Sequence, residues 1–549
     1  MRVSAPASRS DRVTARKAGR FNMFVIAVGH STAADMEICA TALVAQTTAQ
    51  LHGETPHAAL LFSTFGLDHA TLLRELKRQW PDCSIVGGSS YGEVSRALGY
   101  RLGSSLLILF ASDTIEIRTG VLRNLRGDDE LAQADSIERQ LGHLRAPSEQ
   151  PALGLLLPDG LGVDGTSVVR NIANVLPKTP LFGGSTAENL QNQRTLQFFE
   201  TEILEHAVPY LLFFGPLRFS WSVTQGLSAG WDPVSERLDA VCEGRFIRTI
   251  EGEPVFDYLT TRYPVEGRDW SYVHPFAIYP DRASDDHLLC DVIRFDTATG
   301  MLECAQSLPS LCQIQLTEPD PPAIVRAARR NLLQTLANDA ELTPAAGVLW
   351  FSCVNRALVL EKDPADEYRA ATEGLVTQMP IVGFQTYGEI APRGPAGDPF
   401  YYSCTLVTLL LGEVPRPTGL AADAASAIST ANLKLRNQAL AESLKAAQDE
   451  LEQLRLKLSE SESVARLTMH GRTEQRLRYR ALALDLLCEI LDSRFNDVRR
   501  VAIKGDALRL NKSGLARLID EQHRRRHDAP FPLTIAQLAR LLSPGMDQE

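Results

Sequence analysis

Ser84-Ile-Val-Gly-Gly-Ser-Ser-Tyr-Gly-Glu93, Thr179-Pro-Leu-Phe-Gly-Gly-Ser-Thr-Ala-Glu188 and Met379-Pro-Ile-Val-Gly-Phe-Gln-Thr-Tyr-Gly-Glu389 are copies of one pattern. Each runs from a short apolar strand through a glycine turn and hydroxyl or amide residues to a glutamate. An apolar run precedes each copy (residues 58–62, 152–157, 347–351) and another follows it (105–110, 208–214, 405–411), as buried strands require. Between the first run and the turn lie roughly 20–30 residues, enough for one crossover helix. The reading is a single strand–helix–strand unit used three times, at roughly 57–112, 151–216 and 345–413. Such units build an α/β fold of layered mixed sheets with helices on the outer faces.

The totals fit that reading. A chain of 549 residues, 44% hydrophobic and 22% charged, is a soluble multi-domain protein by composition. No apolar run is long enough to span a bilayer, so no membrane role is expected. The net charge of −11 argues against a general polyanion binder. Nine cysteines without a C-x-x-C spacing suit reduced thiols and a cytoplasmic location.

Residues 1–22, rich in Arg, read as a disordered tail. Phe24–Val28 reads as a strand ending in Gly29-His30-Ser31-Thr32, with Ser31 or Thr32 capping a helix that carries Met36, Ala40 and Leu43. His30 stands at a strand-to-helix turn, where it either faces a ligand or bonds local backbone. Pro158–Gly165 is a glycine-rich loop without the lysine of a phosphate-binding loop. Its Asp159 and Asp164 either hold a cation or polar ligand or simply form turns. Residues 217–320 alternate as strands and hairpins do. Within them His274 lies in an aromatic stretch, a core residue or an axial ligand for haem, which needs a neutral imidazole in an apolar pocket. Cys353 beside Arg356 is either a nucleophile with a lowered pKa or a buried small thiol. Arg356 is expected to pair a carboxylate, Glu367 or Glu389.

A linker at 414–430 follows, and then a helix at 431–470. Asn437, Leu440, Leu444, Ala447, Leu451, Leu454 and Leu458 occupy its a and d positions. That heptad, with one Asn at a, predicts a parallel coiled coil and a homodimer through residues 431–465. Residues 471–549 read as a small helical domain, with helices at Val501–Leu510, Leu515–Ile519 and Thr534–Leu542. It is mildly basic, clusters Arg524–Arg526 and spaces His523 and His527 four apart. A solvated face, a weak metal pair and a DNA-binding end are the readings weighed for it.

Together, Gly29-His30-Ser31, Pro158–Gly165, Phe182–Glu188, Phe351-Ser-Cys353 with Arg356, and Gly383–Pro392 resemble FIST-domain proteins over about 24–413. The resemblance divides the chain into a FIST N part (23–216) and a FIST C part (217–413). It implies an intracellular input module of bacterial signal transduction that binds small ligands such as amino acids. One branch senses nitric oxide through haem and regulates histidine kinases or cyclic-di-GMP enzymes. On this reading Ser89, Asp159, Asp164, Ser185, Glu188, Arg356 and Glu389 are the candidate ligand contacts, and His274 or His30 the candidate haem ligand. No kinase or cyclase signature is visible, so the coiled coil and helical end must relay the signal to a partner. Two alternatives stand beside it: an enzyme using Cys353 or the repeated glutamates, and a DNA-binding regulator.

Overall fold

The computed structural model describes residues 24–125, 130–145, 150–191, 193–224, 226–262, 274–296, 299–339, 345–361, 363–375, 377–394 and 397–414. It further describes positions 437, 438, 441, 442, 445 and 448, and residues 503–504, 507–510 and 512–527. The disordered tail, the linker and most of the coiled coil and helical end expected from sequence lie outside the described residues.

The first repeat comprises β1 (Val25–Ser31), α1 (Met36–Leu51), β2 (Ala58–Thr64), α2 (His69–Gln79), β3 (Ser84–Ser90), the hairpin β4 (Glu93–Ser95) and β5 (Gly99–Arg101), and β6 (Ser105–Ala111). The second follows the same order: β7 (Glu116–Leu122), α3 (Glu130–Leu141), β8 (Leu153–Leu156), α4 (Gly165–Val175), β9 (Leu181–Gly184), the hairpin β10 (Gln197–Phe199) and β11 (Glu202–Leu204), and β12 (Val208–Phe214). The third opens with β13 (Leu217–Val223). An inserted sheet comes next: β14 (Trp231–Pro233), β15 (Leu238–Glu243), β16 (Phe246–Ile250), β17 (Glu253–Pro254), α5 (Val255–Arg262), β18 (Phe276–Tyr279), β19 (Leu288–Cys290), β20 (Val292–Asp296), β21 (Met301–Cys304) and β22 (Leu311–Pro319). The repeat then resumes with α6 (Pro321–Asn338), β23 (Gly347–Cys353), α7 (Val354–Val359), α8 (Asp366–Thr372), β24 (Ile381–Thr386), the hairpin β25 (Glu389–Arg393) and β26 (Asp398–Tyr402), and β27 (Leu406–Glu413). Each repeat thus begins one strand and one helix earlier than the sequence pattern suggested.

Pairing makes the three repeats a closed ring. Their own strands form the orders β1-β6-β2-β3, β7-β12-β8-β9 and β13-β27-β23-β24, with the last two strands of each parallel. Every sheet is then extended by another repeat's hairpin: β10 pairs β3, β25 pairs β9, and β4 pairs β24. Repeat two completes repeat one, repeat three completes repeat two, and repeat one completes repeat three. The repeats therefore neither share one sheet nor split into two lobes. Hairpin exchange covers the parallel edge that each sheet would otherwise leave unpaired.

Burial on both faces explains the unbroken apolar runs of the central strands; all seven residues of β6 and of β23 are buried. The inner faces meet in one core, with Phe62, Phe110, Phe182, Phe213, Phe351 and Phe384 drawn from all three repeats. Phe62 of repeat one stacks on Phe384 of repeat three at 3.8 Å. The outer faces are covered by α1 and α2, by α3 and α4, and by α6 and α8.

The first glycine of each turn has one steric cause. Gly87, Gly183 and Gly383 face Leu61, Leu156 and Trp350 across the parallel strands. A Cβ there would sit 1.8, 2.0 and 1.7 Å from the partner's carbonyl oxygen. Only glycine permits so close a backbone approach.

Two local expectations change. The cap of α1 is Asp35, whose Oδ1 accepts from the N–H groups of Glu37 and Ile38, rather than Ser31 or Thr32. The helix expected at Val501–Leu510 is instead a strand pair, β28 (Ile503–Lys504) and β29 (Ala507–Leu510). The β-branched Ile503 favours the extended form. The helix α9 (Lys512–His527) contains the expected Leu515–Ile519 segment. Among the described residues, no helix is long and apolar enough to cross a membrane.

Candidate functional site

The three repeated glutamates are all fully buried, but only two share an environment. Glu93 accepts from the hydroxyls of Ser90, Ser104 and Thr64. Glu389 accepts from the hydroxyls of Thr386 (2.5 Å) and Thr405 (2.6 Å) and from the Thr405 N–H (3.1 Å). The turn of repeat two is one residue shorter, running from 183 to 188 against 87 to 93 and 383 to 389. Glu188 is consequently turned elsewhere, accepting from Tyr387 Oη (2.6 Å) and the Gln191 N–H (2.9 Å).

Burial pushes Glu93 up to about 7 and Glu389 up to about 8. Both folded values lie above the unfolded carboxyl value of about 4.3, so the stabilising contribution is complete below that pH. It is lost as pH rises through 7 and 8. Each group then contributes a fall of up to about 1.4 kcal/mol per pH unit. The denaturant midpoint is expected to drop between pH 6 and pH 8, and to drop less in Glu389→Gln. Equal drops in both proteins would show that another group titrates.

The remaining residues picked from sequence separate into joints and cavity walls. Ser89 donates to Ala187 O (2.7 Å) and accepts from the Leu196 N–H, tying repeat one to repeat two. Ser185 bonds Tyr401 Oη at 2.9 Å, tying repeat two to repeat three. Asp164 caps α4 and accepts from Ser167 and Ser307. Arg356, fully buried, pairs Glu367 at 2.6 Å and donates to the carbonyls of Ala229 and Ile324. Both ring nitrogens of His30 are engaged, with Ser95 at 2.8 Å and Ser104 at 2.9 Å. Burial lowers its pKa to about 4. His274 is buried, with Nδ1 3.3 Å from the Thr317 carbonyl.

Asp159 and Cys353 instead meet at a polar cavity of about 300 Å³. Its walls come from the loop after β8, the segment before β12, the inserted sheet, the β23–α7 junction, and Tyr387 and Tyr401. Asp159 organises the loop, accepting from the N–H groups of Leu161 and Gly162 (2.9 Å each), from Thr195 (2.8 Å) and from the His206 N–H (2.8 Å). His206 has a left-handed backbone (φ 52°), and its Nδ1 lies 3.4 Å from the Asp159 carboxylate. The loop glycines make room for cavity rings: a Cβ on Gly162 would meet His206 at 2.2 Å, and one on Gly165 would meet Tyr401 at 2.3 Å. That is their structural reason, rather than the close approach of a phosphate.

The inserted sheet adds charge. Glu303 is buried and pairs both Arg245 and Arg294. Asp291 is buried at the start of β20, where Oδ1 accepts from Asn355 Nδ2 at 2.5 Å and from the Cys404 thiol. Among the described residues its Oδ2 receives only the Cys353 thiol, at 3.8 Å. Burial pushes Asp291 up to about 6 and the Cys353 thiol up to about 12. A thiol that high is not a ready nucleophile. Sequence reasoning missed His206, Asp291, Arg245 and Arg294. Only Asp291 left a trace, as one acid interrupting the apolar Leu288–Ile293 run.

A chain of contacts leads away from this cavity. Asn355 and Arg356 are neighbours on α7, and Glu367, the partner of Arg356, lies on α8. Arg329 of α6 holds the end of α8 through the carbonyls of Ala370 (3.2 Å), Ala371 (3.0 Å) and Glu373 (2.5 Å). The same guanidinium donates to Glu442, at a helical position beyond the ring. Gln438 adds a bond to the Gly374 carbonyl at 2.8 Å.

Family models for the FIST N domain and the FIST C domain match residues 57–253 and 258–392. The chain belongs to the FIST family. Domains of this family are small-ligand-binding sensors of signalling proteins. The ring shows why its FIST N and FIST C parts occur together: each supplies a hairpin that the other's sheet lacks. No curated protein matches the chain.

Proposed function

We propose that this FIST protein is a signalling sensor that binds a small polar metabolite, amino-acid-like in size and charge, in the 300 Å³ cavity. Occupancy is passed to the chain beyond the ring. The observation that carries this reading is the continuity of one segment: Cys353 and Asn355 line the cavity, and the next residue, Arg356, is locked to α8. From α8 the contacts run through Arg329 to Glu442. A ligand that favours one setting of α7 and α8 would shift the C-terminal arm by its differential affinity for the two settings. The arm, as a coiled-coil homodimer through 431–465, would then present the change to a signalling partner such as a histidine kinase or cyclic-di-GMP enzyme.

The wall chemistry favours a metabolite over haem. A haem pocket is apolar and offers a free imidazole nitrogen. This cavity is walled by Asp159, Asp291, Glu303, Arg245 and Arg294; its histidine, His206, holds Nδ1 3.4 Å from the Asp159 carboxylate rather than in an apolar setting, and neither His30 nor His274 lines it. The residues present therefore do not fit haem here.

Ala305→Trp fills the cavity from a partly exposed wall position. With a panel of amino acids, at least one compound is expected to raise the melting temperature of the full-length protein by several degrees at saturation. Hydrogen exchange at 437–448 should change with it. Ala305→Trp should show neither response. A melting shift that persists undiminished in that variant would place the ligand elsewhere.

A further inference from the structure

The acids around the cavity differ in what answers their charge. Glu303 has two guanidinium groups, Glu205 has Arg194 at 3.0 Å, and Asp159 has three backbone N–H donors, a hydroxyl and the His206 ring. Asp291 has only neutral donors: the Asn355 amide and the Cys353 and Cys404 thiols. Among the described residues no Lys, Arg or His side chain reaches it. Its electrostatic neighbours make matters worse, since buried Glu389 and the thiol of Cys304 both feel its negative charge. Arg245 and Arg294 share the cavity but are drawn to Glu303. A buried carboxylate without a cation is costly unless it stays protonated or gains a partner. Oδ2, with one long thiol contact, retains acceptor capacity for that partner.

We infer that Asp291 is the anchor for a cationic nitrogen, so that the ligand of this cavity is an amine carried in its ammonium form. This rests on the cavity being the sensory site and goes further by naming the group that recognises the ligand. The ammonium donates to Oδ2, while Asn355 and Cys404 continue to hold Oδ1 in place. Asp291 is also the residue through which Asn355 touches the inserted sheet, so the charge that binds the ligand lies directly beside the α7 segment leading to Arg356. Burial holds the Asp291 carboxyl near 6. Pairing with a cation lowers that value, so binding near pH 6 releases a proton and tightens as pH rises through 6.

The test uses the full-length protein and three probes of one size: n-butylammonium, n-butanol and butyrate. Calorimetry at pH 7, and at pH 6 in two buffers of different ionisation enthalpy, measures affinity and proton release. Expected are binding of n-butylammonium alone and proton release at pH 6. In Asp291→Asn, whose amide keeps an acceptor for Asn355, a loss of about thirtyfold is expected, equivalent to about 2 kcal/mol. The inference is overturned if Asp291→Asn binds the amine as tightly as the native protein, if butyrate or n-butanol binds instead, or if no probe binds. Ala305→Trp separates the two levels of the argument. A metabolite that binds the native protein but not Ala305→Trp, alongside an amine that does not bind, leaves the sensory site standing and removes Asp291 from it. Amine binding that survives in Ala305→Trp removes both.

Discussion

Glu367→Ala is expected to lower stability by about 3–5 kcal/mol, read as a shift in the urea midpoint at constant slope. The size follows from the partner left behind. Arg356 is fully buried over the Trp231 ring, and among the described residues its Nε charge is answered by Glu367 alone, at 2.6 Å. Removing the carboxylate leaves the guanidinium, among the described residues, with only the Ala229 and Ile324 carbonyls as hydrogen-bond acceptors. It also strips the Ser352 hydroxyl of its acceptor at 2.9 Å. Replacing both partners by apolar residues of similar volume should cost much less, because the main penalty is the stranded charge. A loss below about 1 kcal/mol in Glu367→Ala, typical of a surface pair, would mean that the charge is solvated in solution.

Gly383→Ala is expected to cost about 4–5 kcal/mol, at the upper end for one substitution. A methyl group at this position would sit 1.7 Å from the Trp350 carbonyl, so β23 and β24 must separate. Those strands carry Phe351 and Phe384 into the common core, and their separation would disturb the Phe62 stack. Gly99→Ala provides the comparison. Its φ of +66° is unfavourable for alanine, but nothing lies within 4 Å of the added carbon. The strain alone should cost about 1–2 kcal/mol. Thermal unfolding of the two variants side by side decides the matter, and equal losses would contradict the close strand approach.

The repeat, the α/β layering and the sheet-rich insert were legible because they rest on local patterns. Continuous apolar runs mark strands buried on both faces, and Asp68 and Pro81 bracket α2 as helix-end chemistry requires. The pairing of Arg356 with Glu367 was among the expected outcomes, since a charge in an apolar stretch must find a partner. The ring was not legible. Nothing in Glu93–Arg101 says that this hairpin pairs with a strand nearly 300 residues later, because strand propensity is indifferent to partner. The shared environment of Glu93 and Glu389, and the departure of Glu188, turned on a single missing residue in a turn. Asp159 and Cys353 could be picked from sequence because a loop and a strand end advertise themselves. Asp291 and His206 could not, since each acquires meaning only from side chains brought in by other elements.

The central claim is that the FIST N and FIST C parts are one body closed by exchanged hairpins, with the cavity walled by both. Separate expression of residues 24–216 and 217–414 tests it most directly, with near-ultraviolet circular dichroism and urea unfolding of each part alone and mixed. Either part alone lacks a hairpin and a share of the core. Neither should unfold cooperatively by itself, and the mixture should form a one-to-one complex that does. A 24–216 fragment with a fixed aromatic spectrum and a cooperative transition of its own would contradict the closed ring.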